Sequence, residues 1–217
     1  MDVKEFDKFA EEYLKLHSQN IRVTGEEPEY FAEYKIRDLK RVSSELKVLP
    51  DNILDFGTGV GNSIPFLVKY FKETKIHGVD VSEKSLALAQ NRFGSLAEFS
   101  LFDGEFLPYA NELFDIALAA CVFHHIPFKK HFHLIQEISR TLRYGGIFMI
   151  YEHNPYNPLT RYAVNTCPFD ENAVLLRKAK VNKIIRLLEK SIFLLAKTLC
   201  YECIRKTLLG LYDCRFH

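Results

Sequence analysis

Between Pro50 and Tyr151 five short apolar runs are interspersed with segments of helical period, and that pattern restricts the fold more than any other feature of the chain. Residues 52–56 read as a buried strand, 62–71 as a helix, 75–80 as a second strand and 97–101 as a third. Ser82 with Ser85, Leu86, Ala89 and Phe93 marks a capped helix between the last two strands. Residues 113–120, almost wholly apolar, suit a central parallel strand. A helix over 131–142, a Gly145-Gly146 connection and a fifth strand over 147–151 complete the pattern. Parallel neighbours need a crossover, and here helices supply it, so a doubly wound sheet flanked by helices is expected. Ligands of such sheets sit beyond the carboxyl ends of the strands.

The flanking segments read differently. Phe6, Phe9, Tyr13 and Leu16 have helical spacing, as do Tyr30, Tyr34, Ile36, Leu39, Val42 and Leu46. One domain over 1–217 is the simplest division: a helical cap (1–49), a ligand-binding core (50–153), and a loop with a C-terminal helical segment (154–217). Val181, Ile184, Leu188, Ile192, Leu195, Leu199 and Cys203 form a helical stripe. Either that stripe is a long helix beside an incomplete C-terminal sheet edge, or residues 193–203 hold a strand; the spacing favours the helix.

Charge and cysteine usage exclude several classes. Twenty-nine basic side chains against 28 acidic ones leave no electrostatic case for a nucleic-acid partner. No apolar run approaches the roughly 20 residues of a bilayer span. The opening MDVKEFDKFAEEYLKL is charged throughout and lacks the apolar centre of a secretion signal, and five cysteines are an odd number for a disulfide framework. A cytoplasmic protein without an integral membrane segment is expected. Cys200, Cys203, Cys214 and His217 could supply four zinc ligands, but the first two fall in a helix-like stretch, and no metal is expected.

The chemistry is carried by the turns after the strands. Leu54-Asp55-Phe56-Gly57-Thr58-Gly59-Val60-Gly61 runs from a strand through a glycine-rich turn, where backbone approaches a ligand closely. A dinucleotide fingerprint would need Gly or Ala at the sixth position counted from Gly57 as the first, where Asn62 stands, and no Gly-Lys-Ser/Thr of a P-loop follows. Asp80 ends the second strand, where a carboxylate can accept from ribose hydroxyls, whereas Ser82 is the better helix cap. Phe102-Asp103-Gly104 after the third strand offers either an acceptor for an exocyclic amine or an ordinary Asp-Gly turn.

These segments together resemble the class I S-adenosylmethionine-dependent methyltransferases, a Rossmann-like family. The likeness spans residues 30–158 and rests on LDFGTGVG, GVDVS, FDG, FDIALAACVFHHIP and LRYGGIFMIYEH, in that order. It implies a sheet ordered 3-2-1-4-5-7-6 with an antiparallel seventh strand, and S-adenosylmethionine as methyl donor. By this likeness Asp55, Gly57, Thr58, Gly59 and Gly61 face the amino-acid half of the donor. Asp80 with Val81 holds the ribose, Asp103 with Gly104 the adenine, and Cys121 with Val122 lines the space below the sulfonium. The N-terminal helix then supplies Tyr30, Phe31 or Tyr34 as an aromatic face for that cation, and Lys35 for its carboxylate.

The acceptor side is less constrained. His124 and His125 follow the fourth strand and, with ordinary imidazole pKa values near 6.5, are candidates to take a proton from an acceptor. Glu152, His153 and Asn154 follow the fifth strand, where acceptor-binding groups belong. A small-molecule acceptor is expected by default. The competing readings are a catalytically degenerate partner protein that binds the same ligand, and a nicotinamide-dependent oxidoreductase, the latter opposed by Asn62.

Overall fold

The computed structural model describes residues 28–167, 170, 172–177 and 193–199. The expected helix over residues 3–16 and the Cys200, Cys203, Cys214 and His217 set lie outside them. The elements are α1 (Pro28–Glu45), β1 (Asn52–Phe56), α2 (Ile64–Tyr70), β2 (Lys75–Asp80), α3 (Glu83–Phe93) and β3 (Glu98–Leu101), then β4 (Phe114–Ala120), α4 (Phe128–Thr141), β5 (Leu142–His153), α5 (Pro158–Thr166) and β6 (Phe193–Leu199). The strands form one sheet in the order β3-β2-β1-β4-β5-β6, with every pairing parallel. The α/β, Rossmann-like expectation is met.

Successive strand residues point to opposite faces, and this splits the core in two. Leu54, Phe56, Val79, Ala117, Ala119, Phe148 and Ile150 pack on one face with Leu134, Ile135 and Ile138 of α4. Ile53, Ile76, Ile116, Leu118, Ile147, Met149 and Tyr151 occupy the other, beneath Ile36, Leu39 and Val42 of α1 and Ile64 and Leu67 of α2. The 36-39-42 spacing of α1 therefore answers to burial. One buried polar contact fixes this helix to the sheet, Tyr151 Oη donating to Asp38 Oδ2 at 3.1 Å. No helix of the described residues is long and apolar enough to cross a membrane.

Three expectations need correction. α4 starts at Phe128, directly after Pro127, three residues earlier than the apolar spacing marks it. β5 starts at Leu142 rather than 147. Phe114 pairs with Leu142 while Ile116 pairs with Ile147, so the intervening residues, with Gly145 at φ +77°, bulge from a strand that continues through them. Finally, residues 193–199 form strand β6, in parallel register with β5 from Ile147↔Phe193 to His153↔Leu199, where the stripe favours a helix. A short apolar run satisfies either period, and a neighbouring strand with open hydrogen-bonding groups decides between them. The order implied by the resemblance also differs, because the strand beside β5 is parallel and no antiparallel seventh strand lies among the described residues.

Candidate active site

The register places the tips of β1 and β2 side by side. Phe56 pairs with Val79, and the amides of Gly57 and Thr58 both donate to the Val79 carbonyl, at 2.8 and 3.1 Å. The turn is thereby hung on the end of β2. Gly57 has φ +73°, and a Cβ there would lie 2.5 Å from Val122 Cγ2, so the turn is packed tightly against the loop after β4. Gly59, at φ +54°, has open space where its Cβ would be.

Two carboxylates hold this turn. Asp55 is buried and accepts the Thr58 hydroxyl at 2.8 Å. Burial, with a smaller contribution from Asp80, pushes its pKa up to about 6 against the opposing Thr58 bond. Asp80 reaches across from β2: Oδ2 accepts the Gly59 amide and Oδ1 the Ser82 amide, both at 2.9 Å. Ser82 caps α3 through Ser85 N, leaving Asp80 aimed at the glycine turn. Val81 is buried beside it, 3.8 Å from where a Cβ on Gly104 would be. Asp103 is exposed, and its Oδ1 accepts the amides of Glu105 and Phe106 at 2.8 Å each, which lowers its pKa. That acid organises its own Asp-Gly turn.

The loop after β4 closes the other side. Cys121 has φ +60° and donates its amide to the Tyr151 carbonyl at 2.7 Å. Lys35 of α1 reaches its Sγ at 3.3 Å. Burial raises the thiol pKa, but the Lys35 ammonium and His153 outweigh it and bring it down to about 6. Tyr30 and Phe31 meet edge to face at 5.6 Å, while the Tyr34 ring lies under the Arg37 guanidinium.

Glu152 anchors the loop after β4. Only 5% exposed, it accepts the Val122 and Phe123 amides through Oε1 (3.2 and 2.7 Å) and meets His124 Nδ1 through Oε2 at 2.6 Å. Its carboxylate thus shapes the post-β4 loop, and Asn154 similarly caps its own turn by accepting the Tyr156 amide. The second His124 nitrogen lies 3.5 Å from Asp170 Oδ1, and His125 Nε2 lies 3.4 Å from the same oxygen. Burial disfavours charge on His124, yet Glu152 and Asp170 together raise its pKa to about 10. His125 is pushed down to about 3, by burial first and then by His124 beside it. His153 lies against His124, ring centroids 4.9 Å apart. Asp170 was not legible as a site residue, because only the folding of the loop after α5, pinned by Val174 N donating to the His124 carbonyl at 2.8 Å, brings it here.

A parallel sheet with a glycine turn at the tip of β1, an acid at the tip of β2 and a polar loop after β4 is the arrangement at which Rossmann-like proteins bind nucleotide ligands. Residues 53–146 match the family model described as a methyltransferase domain. This match and the parallel sheet support a class I S-adenosylmethionine-dependent methyltransferase, the family that the sequence resembles. Over 112 residues it is 31% identical to demethylmenaquinone methyltransferase of Thermotoga maritima, covering 52% of this chain and 48% of that one. It is 27% identical to 27-O-demethylrifamycin SV methyltransferase of Amycolatopsis mediterranei over 66% of this chain and 54% of the relative. The chain spans about half the length of the curated relatives it matches. Among solved structures, a candidate S-adenosyl-L-methionine-dependent methyltransferase of Methanococcus maripaludis shares the fold with a TM-score of 0.61 at 16% identity, over 85% of this chain and 84% of that one.

Proposed function

We propose that the protein transfers a methyl group from S-adenosylmethionine to a small-molecule acceptor. The observation that carries this reading is the contact between Asp80 and the Gly59 amide beside the open space over Gly59. A carboxylate held there by backbone accepts from ribose hydroxyls, and a turn without side chains admits the rest of the ligand closely. Val81, Asp103 and Gly104 follow on the adenine side. Asp55, Thr58 and Gly61 shape the turn from within, while Lys35 and Tyr30 approach from α1 and Cys121 and Val122 from β4. These positions fit an adenosyl sulfonium better than a dinucleotide, whose third glycine is replaced by Asn62, itself bonded to Arg92.

When bound, S-adenosylmethionine supplies an electrophilic methyl carbon. The chain's own contribution is alignment, which is worth much of the rate in a displacement of this kind. Lys35, placed between α1 and the post-β4 loop, offers a cation for the ligand's carboxylate. Glu152 holds the amides of Val122 and Phe123 and so fixes the loop under the reacting centre. His124, between two carboxylates, is a positioning residue rather than a base. His125 Nε2 and Asp170 Oδ1 form the polar pair on the acceptor side, with His153 next to them.

A small acceptor is supported by the substrates for which the relatives are named, a menaquinone precursor and a rifamycin. Calorimetric titration with S-adenosylmethionine and with NAD tests the donor. Micromolar binding of the first alone is expected, and tight NAD binding overturns the proposal. Transfer of labelled methyl to a panel of quinols, polyketides and amines tests the reaction. Donor binding without transfer to any acceptor favours the partner-protein reading instead.

A further inference from the structure

Three side chains beyond the carboxyl end of β4 converge on one point. Asp170 Oδ1 lies 3.5 Å from His124 Nε2 and 3.4 Å from His125 Nε2, and ligand atoms of all three fall within 4.8 Å of one another. Tetrahedral ligands at about 2.1 Å from an ion stand roughly 3.4 Å apart, so two of the three pairs already have that spacing. We propose that His124, His125 and Asp170 form a binding site for a divalent first-row transition-metal ion.

The donor set suits such an ion. Two imidazoles and one carboxylate favour zinc, cobalt or iron(II) over magnesium or calcium, which prefer oxygen throughout. His124 also has the support expected of a metal ligand, because its other ring nitrogen faces a carboxylate that fixes the ring and its tautomer. Glu152 fills that role at 2.6 Å and is itself held by two backbone amides. The loop after α5 is held in place by the bond from Val174 N to the His124 carbonyl.

Charge balance points the same way. Glu152 is buried and Asp170 largely so, which leaves two carboxylates around one imidazole. A divalent ion offsets both charges, with His124 as the neutral ligand that metal coordination requires. Three protein ligands leave a tetrahedral ion one open position. Binding of the ion does not depend on the methyl-transfer reading.

The full chain, stripped with EDTA and titrated with Co2+ and then Zn2+, tests the site through visible absorption and calorimetry in the absence of donor and acceptor. One ion per chain with a tetrahedral cobalt spectrum is expected. Asp170→Asn and His125→Asn should each weaken binding at least tenfold, and Glu152→Gln about 10- to 100-fold, with circular dichroism unchanged. The Cys200→Ser/Cys203→Ser double variant should keep the ion. No stoichiometric binding at micromolar metal overturns the proposal. So does an ion that survives Asp170→Asn and His125→Asn but is lost from the double cysteine variant.

Discussion

The Lys35 ammonium lies 3.3 Å from the Cys121 thiol, joining the helix ahead of the sheet to the strained residue that leaves β4. The two are 86 positions apart in sequence. Their contact ties the N-terminal helix to the loop after β4.

It makes the thiol acidic. With its pKa lowered to about 6, Cys121 is mostly thiolate at pH 7. Absorbance near 240 nm, followed against pH and compared with Cys121→Ser, should give a midpoint near 6. Lys35→Met should move it upward by a unit or more, since it removes the principal opposing charge. A midpoint unmoved by that substitution would mean that Lys35 does not govern the thiol.

Asp80→Asn keeps a side-chain oxygen for the Gly59 or Ser82 amide but loses the negative charge offered to ribose hydroxyls. Affinity for S-adenosylmethionine should fall roughly 10- to 100-fold, the worth of a charged hydrogen bond. Titration calorimetry measures this, and equal affinity in the variant would remove Asp80 from the donor site.

Gly57→Ala should destabilise the fold by about 2–4 kcal/mol, combining the left-handed backbone cost with overpacking. The added methyl would stand 2.5 Å from Val122 Cγ2. Val122→Ala in the same chain relieves the clash but not the backbone cost, so urea denaturation of the double variant should recover part of the loss. Full additivity of the two single losses would rule out the clash.

Stability should depend on pH through His124. Its folded pKa, raised to about 10, exceeds the unfolded value near 6.5. The stabilisation is therefore fully present below pH 6.5 and is lost as pH rises toward 10. Urea midpoints measured with EDTA should fall across that window, and His124→Gln should flatten this part of the profile. Glu152→Ala should cost about 3–5 kcal/mol, because it leaves the buried imidazolium with the more distant Asp170 alone and frees the Val122 and Phe123 amides.

The sheet was legible because its signals are local. β1 and β2 occupy the residues that their apolar runs mark, and Ser82 caps α3 as its spacing with Ser85 indicates. Glycines at the β1 turn and an acid at the β2 tip are read from adjacent residues, and the structure brings them together through Asp80 and the Gly59 amide. The start of β5 was not, since a strand that bulges through Gly145 resembles one that begins after it. That Asp103 Oδ1 holds the amides of Glu105 and Phe106 could not be read from the sequence, where an Asp-Gly pair looks the same with or without those bonds.

Local order of apolar runs, glycines and carboxylates thus determined the layering of this protein and the end of the sheet where its ligand belongs. Tertiary structure alone decided that residues 193–199 pair with β5, that Glu152 serves the loop after β4, and that Asp170 joins His124 and His125. The reason is physical: strand partners and the neighbours of a buried charge are chosen by segments far away in the chain. Spacing along the chain carries no record of those distances until the sheet and its loops have closed.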